Sequence, residues 1–227
     1  MEDWYRNTTW NDTIAAEFDG RIRRTRSQKA QYLKIQGITL ASSFPQVAVE
    51  LLERCAEIQD ENETAPALAS IAGIWLKLGD VDRAIDALNR ATAQEEKVPE
   101  VGTNAPRDFC FLVAFYERVQ LYERAWGILQ SLPEVEFGAA GYARNGALAV
   151  ILAHRGDAAA AGTYAENALR AALDQSISLP GGLKMNPDAV VRQIDNPFTA
   201  RLIEIHSLSR GLPLAERHSR YSFVLPQ

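Results

Sequence analysis

The feature that most constrains the fold is the stretch from Leu68 to Ala91, in which two helical patterns flank a Gly-Asp pair. Apolar residues recur in each half at intervals of three and four, so each half can present one apolar helix face. Between the halves, Gly79 can adopt the left-handed conformation that ends a helix, and Asp80 can cap the next helix. The stretch therefore predicts two helices joined by a tight corner. Their apolar stripes consist of Leu68, Ile71, Ala72 and Trp75, and then of Ala84, Ile85, Leu88 and Ala91.

The same order of residue types recurs on both sides of this stretch, at spacings of about 36 or about 41 residues. Self-similarity at a regular spacing is typical of helical repeat proteins. The earlier copy consists of Tyr32, Ile35, Gln36, Thr39, Ala48, Leu52 and Cys55. The two later copies consist of Phe109, Leu112, Val113, Tyr116, Ala125, Leu129 and Leu132, and of Asn145, Leu148, Ala149, Leu152, Gly156, Asp157, Ala161 and Ala168.

These residues resemble the tetratricopeptide repeat (TPR) pattern, although the usual closing proline is missing in register and Pro99 comes three residues late. The resemblance implies an all-α fold, a right-handed α-solenoid of about four antiparallel helix pairs. An extra N-terminal helix and C-terminal capping helices complete it. The predicted domains are an N-terminal segment at 1–27, the repeat array at 28–176, and C-terminal helices with a tail at 177–227.

Both ends of the chain depart from the repeat pattern. Asn11 or Asp12 can cap a helix that runs to about Arg24. The aromatic residues before that helix either cover the open end of the first helix pair or serve as a docking motif; they are Trp4, Tyr5 and Trp10. Helix starts are predicted at residues 42–45, with Ser42 or Ser43 as the cap before Pro45, and at residues 186–188 and 196–197. The apolar tail at 221–225 either caps the last helices or binds a partner.

Composition argues against several classes of function. A net charge of −5 weighs against a general nucleic-acid binder. No stretch approaches the roughly 18 to 20 apolar residues of a membrane helix. The polar N-terminus does not have the pattern of a signal peptide. The two isolated cysteines indicate neither a disulfide framework nor a zinc site. We therefore expect a cytoplasmic protein with no cofactor and no metal.

The sequence also offers little for catalysis. It contains no GxSxG elbow, P-loop, GxGxxG or HExxH motif. Its three histidines, His154, His206 and His218, have no neighbour in sequence that would activate them. We therefore expect a protein that is not an enzyme.

The family resemblance also implies a binding surface, the concave groove lined by the first helix of each pair. Its residues would be small and mostly apolar, which suits an apolar helix or extended segment, including the protein's own C-terminus. The alternative interpretation is that the small residues reflect tight packing in a compact array. The asparagine positions that hold a peptide carboxylate in the family are not filled here. The implied groove residues are Leu33, Gly37, Leu40, Ala69, Gly73, Leu76, Lys77, Cys110, Ala114, Glu117, Arg118, Gly146, Val150 and His154.

A basic stretch between Gly20 and Val49 contains no acidic residue and is the second candidate for partner binding. It is either a solvated helix face or a patch for an acidic partner surface or for phosphate. Its residues are Arg21, Arg23, Arg24, Arg26, Lys29 and Lys34.

Three functional hypotheses remain open on the sequence. The first is an adaptor or scaffold that binds a protein or peptide partner in its concave groove, steered by the basic patch. The second is an immunity or inhibitor protein, or a fixed complex subunit, that binds through its end surfaces. The third is an enzyme or a small-ligand sensor. The oligomeric state is not indicated.

Overall fold

A computed structural model describes residues 4–134, 138–173 and 197–211 of the chain. Every regular element in these ranges is a helix, so the prediction of an all-α protein is confirmed. The helices are α1 (Asp12–Arg24), α2 (Lys29–Leu40), α3 (Pro45–Glu57), α4 (Thr64–Lys77), α5 (Val81–Glu95), α6 (Ala105–Phe115), α7 (Tyr122–Ser131), α8 (Gly138–His154), α9 (Ala158–Leu173) and α10 (Pro197–Ser209). A short 3₁₀ turn, Val119–Leu121, precedes α7.

The chain forms two compact units, Met1–Phe109 and Cys110–Gln227, and the boundary between them falls inside α6. The predicted domain boundaries near residues 28 and 177, and the solenoid arrangement, stay predictions. The predicted helix start at 186–188 and the apolar tail at 221–225 lie outside the described residues.

In the first unit, α4 and α5 meet at the predicted Gly-Asp corner. Gly79 is left-handed, with φ of +79°, and the Asp80 amide donates back to the Trp75 carbonyl at 2.9 Å. The Asp80 carboxylate in turn accepts from the backbone amide of Arg83 at 3.1 Å, which caps α5. The two helices then pack through buried Ala72, Ala84 and their neighbours.

The connection within the α2–α3 pair is one residue longer than that within the α4–α5 pair. Four residues, 41–44, separate α2 from α3, whereas three residues, 78–80, separate α4 from α5. Pro45 begins α3 as predicted. The predicted serine cap is wrong, because the capping position is Phe44 and no side chain caps the helix.

The N-terminal residues cover α1 and α2. The Asn11 side chain caps α1 by accepting from the Ile14 amide at 3.0 Å. The Trp4 ring lies 5.5 Å from the Phe18 ring and 5.1 Å from the Tyr32 ring. These contacts agree with the covering role that was one of the two interpretations of the aromatic N-terminus.

In the second unit, α8 and α9 repeat the corner geometry. Gly156 has φ of +85°, and the Asp157 amide donates to the Leu152 carbonyl at 3.0 Å. The Asp157 carboxylate caps α9 by accepting from the Ala160 amide at 3.0 Å. The helix α10 packs mainly on α9 and also contacts α8.

Candidate functional site

The predicted groove residues of α2 are not accessible. Leu33, Gly37 and Leu40 are buried, and a Cβ added at Gly37 would lie 2.7 Å from Cγ of Leu52 on α3. This corrects the sequence prediction, and the reason is a displaced register of α2. The buried residues of α3 match those of α5 at the repeat spacing used for the prediction, whereas the buried residues of α2 match those of α4 one position closer, so Gly37 occupies the packing position that Ala72 has in α4.

The displaced register brings different side chains of α2 to the surface. Ile38 is 49% exposed, which is unusual for a large apolar residue on an otherwise buried helix. Lys34 is half-buried and forms an ion pair with Glu63. The outward position on α2 is therefore Ile38 and not Gly37.

The predicted residues of α4 do lie at the surface. Gly73 is exposed, and a Cβ added there would meet no atom within 4 Å. Leu76 is 39% exposed, Lys77 is exposed and Ala69 is half-buried. Ile38 on α2 and Gly73, Leu76 and Lys77 on α4 are all exposed, and the two helices contact each other. We call these four residues the α2–α4 face.

In the second unit, four of the predicted groove residues are buried, which also corrects the prediction. Cys110, Ala114 and Val150 have no exposed surface, and the Cys110 thiol lies 3.5 Å from the Ala125 carbonyl of α7. Gly146 is buried as well, with Phe198 of α10 directly against it. These residues are part of the interior and are not available to a partner.

The helix α10 is held on the second unit by aromatic contacts at its N-terminal end. The Phe198 ring stacks on Phe115 with centroids 5.4 Å apart, and it meets the edge of Phe111 at 5.3 Å. Beside these rings, the buried hydroxyls of Tyr142 and Thr199 hydrogen-bond at 2.8 Å. Burial of several aromatic rings together with a satisfied hydroxyl pair makes this a specific docking contact.

Polar contacts continue the attachment along α10. Arg201 forms an ion pair with Glu117, a predicted groove residue, at 2.6 Å. Further along, Nδ1 of His206 lies 3.1 Å from the Gly162 carbonyl of α9. Within the described residues, α10 therefore pairs with Glu117 and covers Gly146.

The remaining groove candidates are Arg118 and His154. A guanidinium nitrogen of Arg118 donates to the Tyr116 carbonyl at 2.9 Å. His154 is exposed, and its ring meets the edge of Tyr122 at 5.1 Å. No group of three or more His, Cys, Asp or Glu side chains in the described ranges could hold a metal ion.

Only some cations of the basic stretch contact other groups of the protein. Arg21 stacks over Trp4 at 5.7 Å, Arg24 donates to the Gly20 carbonyl, and Lys34 pairs with Glu63. The other three cations, Arg23, Arg26 and Lys29, form no ion pair within the described part of the chain. They lie around the connection between α1 and α2, where a charged partner could reach them.

The two cysteines are interior thiols. Burial raises the pKa of Cys55 to about 12, with a further increase from nearby Glu63, and burial likewise raises the pKa of Cys110 to about 12. Since the thiolate is the nucleophilic form, both are unreactive at neutral pH.

One site was not anticipated from the sequence. A cavity of about 390 Å³ opens beside α8 and α9, and the buried guanidinium of Arg144 lies in its wall. The available signal was Arg144-Asn145 within the otherwise apolar pattern of α8. Helical periodicity identifies which residues share a face, but it does not reveal that a polar pair lines a cavity.

Comparison with known proteins adds no relative. No protein-family model, no curated protein and no solved structure matches the chain significantly. Within the described ranges, each helix is too short or too polar to cross a bilayer. The functional argument therefore depends on the surfaces of the molecule itself.

Proposed function

We propose that the protein is a non-enzymatic, TPR-like helical repeat module that binds a protein or peptide partner in the cytoplasm. The partner-binding surface is the α2–α4 face, and the partner contributes an apolar helix or extended segment. The observation that carries the proposal is the pair of exposed apolar side chains, Ile38 and Leu76, beside the open backbone of Gly73.

The chemistry of this face suits an apolar segment. A glycine without neighbours lets a partner side chain approach the helix backbone, and the flanking isoleucine and leucine supply apolar area. Burying a side chain of this size contributes roughly 1.5–3 kcal/mol. Lys77 at the edge adds a charge that orients the partner but contributes little affinity.

The repeat character of the proposal is supported by a recurring pattern of contacts. In the first unit, α4 packs on α3 as well as on its pair partner α5, and it also contacts α2. In the second unit, α10 packs mainly on α9 and also contacts α8. Each of these helices follows a pair in the same way, as the first helix of a further repeat would. On this interpretation α10 takes the place of a further repeat within the second unit.

The unpaired cations at the α1–α2 connection would steer an acidic partner toward the protein. Such steering acts at long range and is screened by salt, with a Debye length near 10 Å at about 0.1 M. Charge reversal at Arg23, Arg26 and Lys29 should therefore slow association and reduce its salt dependence, while dissociation changes little.

Site-specific photo-crosslinking in the source cell tests the proposal. A benzophenone amino acid replaces Ile38 or Leu76 in separate variants, and Asp86, which is exposed on α5, carries it in the control. We expect the same protein adduct from positions 38 and 76, and none from position 86. Adducts at 86 without adducts at 38 and 76 would instead favour binding through another surface.

A further inference from the structure

The cavity beside α8 has the size and lining of a small-molecule site. Its volume of about 390 Å³ lies within the range typical of ligand pockets, roughly 300–1,000 Å³. It is formed entirely within the second unit, by α8, α9 and the segment that follows α7. Its lining residues are Glu134, Arg144, Asn145, Ala160, Thr163, Tyr164 and Asn167.

Among the described residues, the guanidinium of Arg144 has no counter-charge. The residue is only 7% exposed, and its Nε is buried without a hydrogen-bond partner. One terminal nitrogen lies 3.4 Å from the Leu129 carbonyl, a long contact, and no carboxylate pairs with Arg144 in the described ranges. Since a guanidinium stays protonated in proteins, this cation cannot escape the cost of burial by losing its proton.

The rest of the cavity offers neutral hydrogen-bonding groups. The Thr163 hydroxyl donates to the Ala159 carbonyl at 3.2 Å, so its remaining lone pairs can accept from a ligand. The Asn167 side chain is half-buried and forms no hydrogen bond in the portion that the structure describes. Asn145 is buried next to Arg144. A ligand with a polar body could therefore bind beyond the guanidinium.

The one acidic residue of the lining limits the charge of the ligand. Glu134 is exposed, and it does not pair with Arg144. With one cation inside and one carboxylate in the same lining, a second negative charge on the ligand would be repelled. This favours a monoanion over a dianion such as phosphate. The planar fork of a guanidinium also matches the two oxygens of a carboxylate.

We infer that this cavity binds a small molecule with a single carboxylate, which pairs with the guanidinium of Arg144. The cavity shares no residue with the α2–α4 face, so the test of ligand binding is independent of the proposed partner binding. The competing interpretation is structural, because Arg144 also links α8 to a carbonyl in the last turn of α7.

Ligand binding is tested with the full-length protein and three monocarboxylates, namely benzoate, pentanoate and L-leucine, at millimolar concentration. Benzamide, which has the shape of benzoate without its charge, and inorganic phosphate at matched ionic strength are the comparisons. The readouts are the melting temperature and the Arg Nε–H resonances in ¹H–¹⁵N NMR. We expect at least one monocarboxylate to raise the melting temperature and to shift one Arg Nε–H resonance saturably, with no response to benzamide.

Three variants assign the response to the cavity. Arg144→Met should abolish it, while the ligand-free melting temperature stays equal or rises, because an unpaired buried cation is removed. Asn167→Leu keeps the guanidinium but removes a hydrogen-bonding side chain from the cavity lining, and it should weaken binding by roughly tenfold or more. Arg170→Gln removes an exposed cation of α9 that already pairs with Glu166, and it should leave binding unchanged.

Several results would overturn the inference. They are no response to any of the three monocarboxylates, an equal response to benzamide, binding of phosphate alone, and a response that survives both Arg144→Met and Asn167→Leu. If Arg144→Met fails to fold, Asn167→Leu and the ligand series still decide between a carboxylate site and a structural arginine.

Discussion

Gly146 on α8 lies directly against the ring of Phe198 on α10, and a Cβ at residue 146 would stand 2.6 Å from Cε1 of that ring. We therefore expect Gly146→Ala to reduce the free energy of unfolding by about 1–3 kcal/mol, because the ring must shift within its aromatic cluster. Urea unfolding measures the change.

Gly73→Ala on α4 is the matched control for that substitution. It also places a methyl group on a glycine within a helix, but no atom lies within 4 Å of the added carbon. Alanine is the better helix former by roughly 1 kcal/mol, so this variant should be as stable as the parent protein or more stable. If Gly146→Ala behaves like Gly73→Ala, α10 does not pack on α8 as described.

The two Gly-Asp corners should respond alike to loss of their caps. Asp80→Ala and Asp157→Ala each remove a carboxylate that accepts from a first-turn amide at about 3 Å. We expect each to cost about 1 kcal/mol of stability in urea unfolding, whereas the serine variants retain most of it, because serine also caps well. A neutral alanine variant at either corner would show that the cap there is not formed.

The buried thiols make stability depend on alkaline pH. Burial raises the pKa of Cys55 and Cys110 from 9.0 to about 12, so the folded protein holds these protons more tightly than the unfolded chain. The resulting stabilisation is complete below pH 9 and is lost as the pH rises from about 9 to about 12. At about pH 10 we expect a loss of about 1 kcal/mol for each thiol relative to neutral pH.

Replacement of both cysteines by alanine isolates this contribution from the tyrosines and lysines that titrate in the same range. The double variant should be less stable than the parent protein at pH 8 because two buried side chains are truncated, and the difference should shrink at pH 10. An unchanged difference between the two pH values would mean that the thiols are not protected from ionisation by burial.

Local sequence signals predicted the helices and their corners well. Helix caps and left-handed glycines lie where the sequence predicted them, because these features depend on few neighbouring residues. They are the cap at Asn11 and the Gly-Asp corners at Gly79-Asp80 and Gly156-Asp157. The helix at Pro197 also begins where the Asn-Pro pair indicated.

The surface of these helices was harder to predict than their existence. The buried face of α2 is displaced by one position relative to that of α4, which turns Gly37 inward and Ile38 outward, and the spacing of the repeat pattern did not predict that displacement. Gly146 appeared to be a groove position because the docking of α10 depends on contacts between residues about 50 apart in the chain. The lining of the Arg144 cavity comes from three segments of the chain, and the helical periodicity of the sequence does not predict such a cavity.

The measurement that tests the central claim most directly is quantitative affinity capture from the source cell with three baits. These are the parent protein, Gly73→Arg and Gly127→Arg. The last adds the same side chain to an exposed helical glycine of α7 that also has open space around it. Circular dichroism melting first confirms that all three baits are folded.

We predict that at least one protein is retained by the parent and by Gly127→Arg and is lost with Gly73→Arg, because the arginine blocks the α2–α4 face. Capture of the same proteins at the same levels by Gly73→Arg would contradict partner binding through this face.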